Sequence, residues 1–363
     1  MTHITAPYLR WAKVRPRVTY DLAASGLQHV ATEELLGGIA AKDAFALGGP
    51  NDEGFLPLRE AIAARYGTSA ESVTIANGAS GANFLACLAL LGPGDEALLE
   101  MPVYDPLIAA VRAAGANPVY FARSWEKGFA LDPYAVRTAL TPRTKLIVIS
   151  NAHNPSGALA SREALEQVGV MAQAVGAHVL VDEVYAEAQH DDTPPPIAAA
   201  QLGAGFVSTS SLTKAYGLAG LRCGWVLASP SLSARIRETR DIVDGSGAFP
   251  PEQLSVTAFA KIDELRARAR HILSRNLALV EGVLASHPRL EWLAPAAGMT
   301  AFPRVKGVDD TTALVDRLIA DFDTVVVPGH FFQAPQHIRI SFGGRAEMLS
   351  EGLARLNRAL RES

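Results

Sequence analysis

One lysine stands apart from the rest of the chain. In Ser208-Thr-Ser-Ser-Leu-Thr-Lys-Ala-Tyr-Gly-Leu-Ala-Gly-Leu-Arg-Cys-Gly-Trp225, Lys214 lies among small hydroxyl residues and Arg222 follows eight positions later. The preceding Gly205-Phe-Val-Ser-Thr-Ser210 has the pattern of a short buried strand, and Gly217 and Gly220 break regular structure after it. Lys214 is therefore expected on a turn at a strand end. A lysine half removed from water beside a fixed cation loses its proton near neutral pH and becomes a nucleophilic amine, as Schiff-base chemistry requires. The hydroxyls of Ser211 and Thr213, with the guanidinium of Arg222, suit a phosphate dianion. A lone lysine is ordinarily a solvated surface group, so the weight rests on these neighbours.

Five further places could carry chemistry. After a short strand at Val73-Thr-Ile75, the turn Ala76-Asn-Gly-Ala-Ser-Gly81 opens a helical run from Ala82 to Leu91. Gly78, Ala79 and Ser80 there offer free backbone N–H groups and the positive end of a helix dipole to an anion, and equally suit a plain turn into a helix. Tyr104, in the proline-marked Met101-Pro-Val-Tyr-Asp-Pro106, presents a ring either for packing or for stacking on a flat ligand. Asn154-Pro-Ser-Gly157 follows the β-branched run Thr144–Ser150 and is ordinary turn chemistry by itself, with His153 beside it as a neighbour. Asp182 and Glu183 close the run that starts at His178, and Tyr185 follows. A nucleotide-hydrolysing enzyme would use acids at that point, but it also needs Gly-x-x-x-x-Gly-Lys-Ser/Thr, and the sequence has no Gly-Lys pair. Finally, Arg339 sits inside the apolar strand pattern His337-Ile-Arg-Ile-Ser-Phe-Gly343. Burying a guanidinium alone is costly, so a substrate carboxylate or a structural ion pair is expected to meet it.

The segment Ser211-x-x-Lys214, followed eight residues later by Arg222 and then glycine, resembles the cofactor-lysine segment of fold-type I aminotransferases of class I and II. Six motifs occur in that family's order from Gly54 to Arg339, including a Gly-x-x-x-Leu-Arg match at Gly54, Leu58 and Arg59. The resemblance implies pyridoxal 5′-phosphate as cofactor, with Lys214 as its Schiff-base lysine and Asp182 as the carboxylate that keeps the ring nitrogen protonated. It implies that Gly78, Ala79, Ser80, Ser211 and Arg222 hold the phosphate, that Tyr104 stacks on the ring, and that Asn154 and Tyr185 bond its phenolic oxygen. It places the substrate carboxylate on Arg339. The implied reaction moves the amino group of an L-α-amino acid to a 2-oxo acid. A lyase, decarboxylase or cyclase on the same frame is the alternative, and a catalytically silent regulator is the rival of another class. Family members are usually homodimers, so a second copy of the chain is the implied partner. In many members a tyrosine five residues before the Gly-x-x-x-Leu-Arg glycine reaches the partner's cofactor phosphate; this chain has Gly49 there.

These groups must be positioned by a scaffold, and the alternation of buried strands with helical stretches from about 45 to 270 predicts one. The fold class is α/β, with a mainly parallel sheet carrying helices on both faces, plus a smaller α+β unit. The expected division is an arm over residues 1–44, a large cofactor-binding domain over 45–274 and a small domain over 275–363. Leu58–Tyr66 reads as a helix with Leu58, Ile62 and Ala63 on one face, and long helical regions are expected over 231–241 and 252–287. Arg266, Arg268, Arg270 and Arg275 on the last read as a solvated face. With 363 residues, 49% of them hydrophobic, a large core can form. A formal net charge of −4 without blocks of like charge predicts no affinity for nucleic acid or an anionic membrane. Apolar runs such as Phe84–Leu91 are far shorter than the roughly 18 residues a membrane span needs. The amino terminus lacks the apolar stretch of a secretory signal, and Cys87 and Cys223 have no metal-ligand spacing. A cytoplasmic protein without bound metal is the expectation.

Overall fold

The computed structural model describes residues 3–40 and 44–362. Seven strands form its central sheet: β1 (Val73–Asn77), β2 (Glu96–Met101), β3 (Asn117–Ala122), β4 (Thr144–Ser150), β5 (His178–Asp182), β6 (Phe206–Ser211) and β7 (Cys223–Leu227). Their order in space is β1-β7-β6-β5-β4-β2-β3. β7 runs antiparallel to both neighbours, and the other pairings are parallel.

Side chains alternate across the pleat, and both faces are buried. Leu99, Leu146, Val148, Leu180, Val207 and Val226 meet helices on one face, whereas Leu98, Ile147, Ile149, Val179 and Val181 meet helices on the other. This explains why the strands read as continuous apolar runs.

The helices are α1 (Pro7–Val14), α2 (Thr32–Leu36), α3 (Leu56–Tyr66), α4 (Gly78–Leu90), α5 (Asp105–Ala113), α6 (Pro133–Ala139), α7 (Arg162–Ala174), α8 (Pro230–Val243), α9 (Phe249–Ala260), α10 (Ile262–Leu284), α11 (Thr312–Phe322) and α12 (Ala346–Arg361). α4 and α5 cover the first face and α6 and α7 the second. Starts are set locally: the side chains of Asp132 and Ser161 cap α6 and α7 by accepting backbone N–H groups of Tyr134 and Ala164. Leu58, Ile62 and Ala63 are the buried residues of α3, as their spacing predicts.

Two readings are corrected. The region expected as one helix over 252–287 is two, because Lys261 leaves helical geometry (φ −113°, ψ 17°) and its ammonium donates to Glu34 O at 2.8 Å. The arginines of α10 divide: Arg270 and Arg275 are exposed, as a solvated face predicts, whereas Arg266 and Arg268 are half-buried. Arg266 pairs with Glu187 at 3.0 Å, Arg268 donates to Gln28 O and His29 O at 3.1 Å each, and Arg270 pairs with Asp192 at 2.6 Å.

The smaller part is built on β8 (Thr300–Ala301), β9 (Val327–Pro328) and β10 (Ile338–Ser341), antiparallel in the order β8-β10-β9. α12 presents Leu349, Leu353, Leu356 and Leu360 to its core at helical spacing. The amino-terminal arm joins this part, since Tyr20–Asp21 pairs in parallel with Thr324–Val325. α10 runs straight through residue 274, linking it to the sheet.

Candidate active site

The carboxyl ends of β1, β6, β5, β4 and β2 share one edge of the sheet with the start of β7, and each brings a turn to it. β1 passes directly into α4, because Gly78 takes φ +67° and already begins the helix. Its N–H donates to Arg222 O at 2.6 Å, and Arg222, itself left-handed at φ +50°, donates from Nε to Asn77 Oδ1 at 3.2 Å. A Cβ at Gly78 would lie 2.3 Å from Arg222 Nη2, so glycine lets the guanidinium rest on the helix start. A cation is thereby held at the positive end of a helix, where an anion is the natural third member. Ala79 is buried and Ser80 exposed in the first turn of α4. Ser211 ends β6 fully buried, with Oγ 2.6 Å from Thr213 Oγ1, and faces Gly224 across the ladder.

β5 ends in Asp182, which is buried. Asn83 Nδ2 donates to its Oδ2 at 2.8 Å and the Val184 N–H to its Oδ1 at 3.1 Å, while the Thr209 hydroxyl fixes Asn83 at 2.6 Å. Burial pushes the Asp182 carboxyl above its ordinary pKa, against the pull of these donors and the Lys214 cation. The neighbouring acid points elsewhere: Glu183 Oε1 accepts the Ala199 N–H at 2.7 Å, and burial pushes its pKa up to about 8. It is a structural acid.

After β4, Asn154 accepts from Arg339 Nη1 at 3.2 Å. His153 is wholly buried, with Nε2 2.8 Å from Pro102 O and Nδ1 2.6 Å from Ser156 Oγ, so it ties the Tyr104 loop to the Asn154 loop. Burial first, and then Arg123, hold this ring well below its ordinary pKa, hence neutral. Tyr104 is partly exposed. Tyr185 donates its hydroxyl to Ser25 O at 3.3 Å, and burial pushes its pKa up to about 12.

Lys214 follows β6 on a turn, as expected, and donates to Ser25 Oγ at 3.2 Å. Burial, then the cations Arg339 and Arg222, bring its pKa down to about 8 against the opposing pull of Asp182. Arg339, on β10, is fully buried and donates from Nη2 to Tyr8 Oη at 2.6 Å and Ala23 O at 3.2 Å. Among the described residues, no carboxylate forms an ion pair with Lys214, Arg222 or Arg339, so the structural-pair reading of Arg339 fails. Arg339 Nε is buried without a partner.

The edge thus gathers the residues singled out from the sequence, and three more besides. Asn83, Ser25 and Tyr8 bond directly to Asp182, Lys214 and Arg339. Asn83 left a signal, a lone amide in an otherwise apolar helical run; Ser25 and Tyr8 lie in the weakly patterned arm. At Gly49 a Cβ would lie 2.1 Å from Phe249 Cζ, whose ring packs edge-on against Phe55 at 5.0 Å. The space a tyrosine side chain would leave by is filled from within the chain.

This donor set fits pyridoxal 5′-phosphate. A cation at a helix start suits its phosphate, a desolvated acid suits its ring nitrogen, and a depressed lysine suits its aldehyde. Fold and site together are those of a cofactor-dependent amino-group transferase. A family model described as "Aminotransferase class I and II" matches residues 19–356, and the chain belongs to that family. Among its relatives, a capreomycidine synthase from Streptomyces vinaceus is 34% identical over 84% of this chain and 78% of its own length. An aspartate aminotransferase from Streptomyces avermitilis is 28% identical over 85% of this chain and 81% of its own length. A solved PLP-dependent aminotransferase from Streptococcus suis superposes with a TM-score of 0.93 at 28% identity, covering 100% of this chain and 99% of its own. The protein is a pyridoxal 5′-phosphate-dependent aminotransferase of fold type I, and it acts on amino acids and 2-oxo acids. No helix among the described residues is long and apolar enough to cross a membrane.

Proposed function

We propose that the residues of this edge divide the work of moving an amino group from an L-α-amino acid to a 2-oxo acid. One arrangement carries the reading: Lys214 lies in the field of Arg339, Arg222 and Asp182 together, its pKa brought down to about 8 chiefly by burial, and among the described residues no carboxylate pairs with either arginine. The bound cofactor supplies an electron sink conjugated to the substrate's Cα. Gly78, Ala79, Ser80, Ser211 and Arg222 would hold its phosphate. Asp182 would keep a proton on the ring nitrogen, Asn154 and Tyr185 would bond the phenolic oxygen, and Tyr104 would stack on the ring. Lys214 Nζ would be the attachment point, and once released it would carry the proton between the substrate's Cα and the cofactor's C4′, in opposite directions in the two halves of the cycle. Arg339 orients the substrate by its α-carboxylate, which supplies the partners its buried guanidinium lacks.

The coarser frame of the proposal is a large lobe over 45–274 and a small one from the arm and 275–363, sharing α10. We read the working form as a homodimer in the cytoplasm. Leu47 and Ile242 are 88% and 82% exposed, with Phe45, Leu56 and Val243 also at the surface, which favours a second copy covering them. Free, buried Cys87 and Cys223 suit a reducing compartment.

A panel of amino acids with 2-oxoglutarate, read as glutamate formed, tests the reaction and fixes the donor. Pyruvate or ammonia released without any 2-oxo acid would make the chain a lyase instead. Light scattering on the eluted protein tests the dimer: a monomeric mass would overturn it.

A further inference from the structure

We propose that Tyr8 is a substrate-binding residue, its hydroxyl donating a hydrogen bond to the α-carboxylate that Arg339 grips. The inference deepens the proposed function and rests on the assignment of Arg339.

The argument begins with the donors of Arg339. A guanidinium has five N–H groups, and a carboxylate takes them in forked pairs, either Nε with Nη2 or Nη1 with Nη2. Both forks need Nη2. Its two hydrogens go to Tyr8 Oη at 2.6 Å and Ala23 O at 3.2 Å, and one hydrogen of Nη1 goes to Asn154 Oδ1 at 3.2 Å. Nε is left without a partner. An arriving carboxylate oxygen therefore meets the Tyr8 hydroxyl at one fork and Ala23 O at the other. A carbonyl oxygen can only accept and repels a carboxylate, so the fork bordered by Tyr8 is the one that can open to it.

That hydroxyl must leave or take part. Leaving is opposed by the way α1 is fastened. The Tyr8 N–H donates to Asp105 Oδ2 at 3.1 Å, which pins the first turn of α1 to the residue after Tyr104. The Tyr8 ring is 6% exposed and packs on Tyr104, Phe331 and Phe332 at centroid distances of 5.7, 5.9 and 5.9 Å, with the Arg339 guanidinium carbon 5.1 Å from its centre. Taking part is free of obstacles. A phenol accepts and donates at once, and among the described residues the Tyr8 hydrogen has no acceptor while its oxygen accepts from Arg339. Turned to the carboxylate, it adds a donor to the clamp from the arm of the chain.

The test compares the native holoenzyme with Tyr8→Phe and Arg339→Lys. Probes are 4-methylpentanoate and 3-phenylpropionate, which carry a carboxylate and no amine, and 2-phenylethylamine, which has no carboxylate; binding is followed by calorimetry. Tyr8→Phe keeps the ring, and is expected to weaken both carboxylates about tenfold, about 1.4 kcal/mol, while leaving the amine unchanged. The KM of the preferred amino acid should rise by a similar factor with kcat nearly constant. Unchanged or tighter carboxylate binding in Tyr8→Phe overturns the proposal, and so does equal weakening of the amine, which would mark a structural role. Arg339→Lys separates the two assignments. If it weakens the carboxylates while Tyr8→Phe does not, Tyr8 alone falls; if it does not, or if the native enzyme binds neither carboxylate, the Arg339 assignment falls and takes Tyr8 with it.

Discussion

Glu100 and Arg123 are both completely buried in the sheet layer and meet at 2.7 Å. Glu100 also accepts the Ser150 N–H at 2.6 Å, and Arg123 Nε donates to Phe129 O at 2.6 Å. At the strand ends Asp182 and Arg339 are buried as well and Lys214 is partly so, yet each is held by neutral groups: Asn83 for Asp182, Ser25 for Lys214, and Tyr8, Ala23 O and Asn154 for Arg339. One set, the closed one, holds opposite charges in contact, with only Arg123 Nη2 left without a partner, and the other, the open one, has no such contact. Buried charge is tolerated only when something matches it. In the first region the chain supplies the match; in the second, the proposed cofactor and substrate would. Damage to the first should therefore appear as lost stability, and damage to the second as lost chemistry.

The largest effect breaks the open set at its centre. Lys214→Ala is expected to lower kcat by about 10³-fold or more, since it removes both the attachment point and the proton carrier at Cα. Its urea midpoint should stay at or above that of the native apoenzyme, because a desolvated ammonium is removed. A variant that kept its turnover would sink the assignment.

The next pair sets the regions side by side. Glu100→Ala leaves Arg123 buried and unmatched, and should cost about 3–5 kcal/mol of unfolding free energy. Replacing both partners by Leu or Met should recover most of it. Asp182→Asn keeps the hydrogen-bonding shape next to Asn83 and should cost little stability, while turnover falls about 10²-fold or more as the ring nitrogen loses its counter-charge. If Asp182→Asn destabilised as much as Glu100→Ala, the two sets would not differ in kind.

The closed and open regions were not equally legible in the sequence. Strands β4 and β5 announced themselves, because a parallel strand covered on both faces must be apolar throughout. Lys214, Asp182, Arg222 and Arg339 stood out because their chemistry conflicts with the apolar runs around them. Tyr8 and Ser25 did not, since their contacts join positions hundreds of residues apart and leave no local pattern. The Glu100–Arg123 pair was invisible for the same reason: an acid inside Leu98-Leu-Glu-Met101 looks like any strand-edge carboxylate until β3 is laid beside β2. The break at Lys261 was missed because no Gly or Pro marks it; the ammonium's bond to Glu34 O is a tertiary contact.

Gly49 sharpens the comparison from the border between the regions. Where many resembling chains carry a tyrosine that reaches the partner's cofactor phosphate, this one has Gly49, and its surroundings are packed, with Phe249 where a Cβ would go. Gly49→Ala should thus behave as a packing variant and cost about 1–3 kcal/mol by overfilling. Gly48→Ala, whose Cβ meets nothing within 4 Å, is the matched control and should be near neutral. A Gly49→Ala enzyme of native stability that lost the cofactor would move this position into the open set.

The smallest effect concerns the protonation of the open set. Folding brings Lys214 from an ordinary 10.5 down to about 8, chiefly through burial and then through Arg339 and Arg222. Between those two values the unfolded chain binds the extra proton and the folded apoenzyme does not, so apoenzyme stability rises with pH from about 8 to 10.5 and is flat below, as far as this group is concerned. Only the neutral amine combines with the cofactor's aldehyde, so the initial rate of apoenzyme reconstitution should follow the neutral fraction. From pH 7.5 to 9 that fraction grows about fourfold and then levels off, whereas a lysine at its ordinary pKa would gain about thirtyfold with no plateau. Stopped-flow absorbance over that range decides between them. A plateau that moves to higher pH in Arg339→Gln but stays in place in Glu100→Gln would tie part of the lysine's depression to the unpaired cations of the site, rather than to buried charge in general.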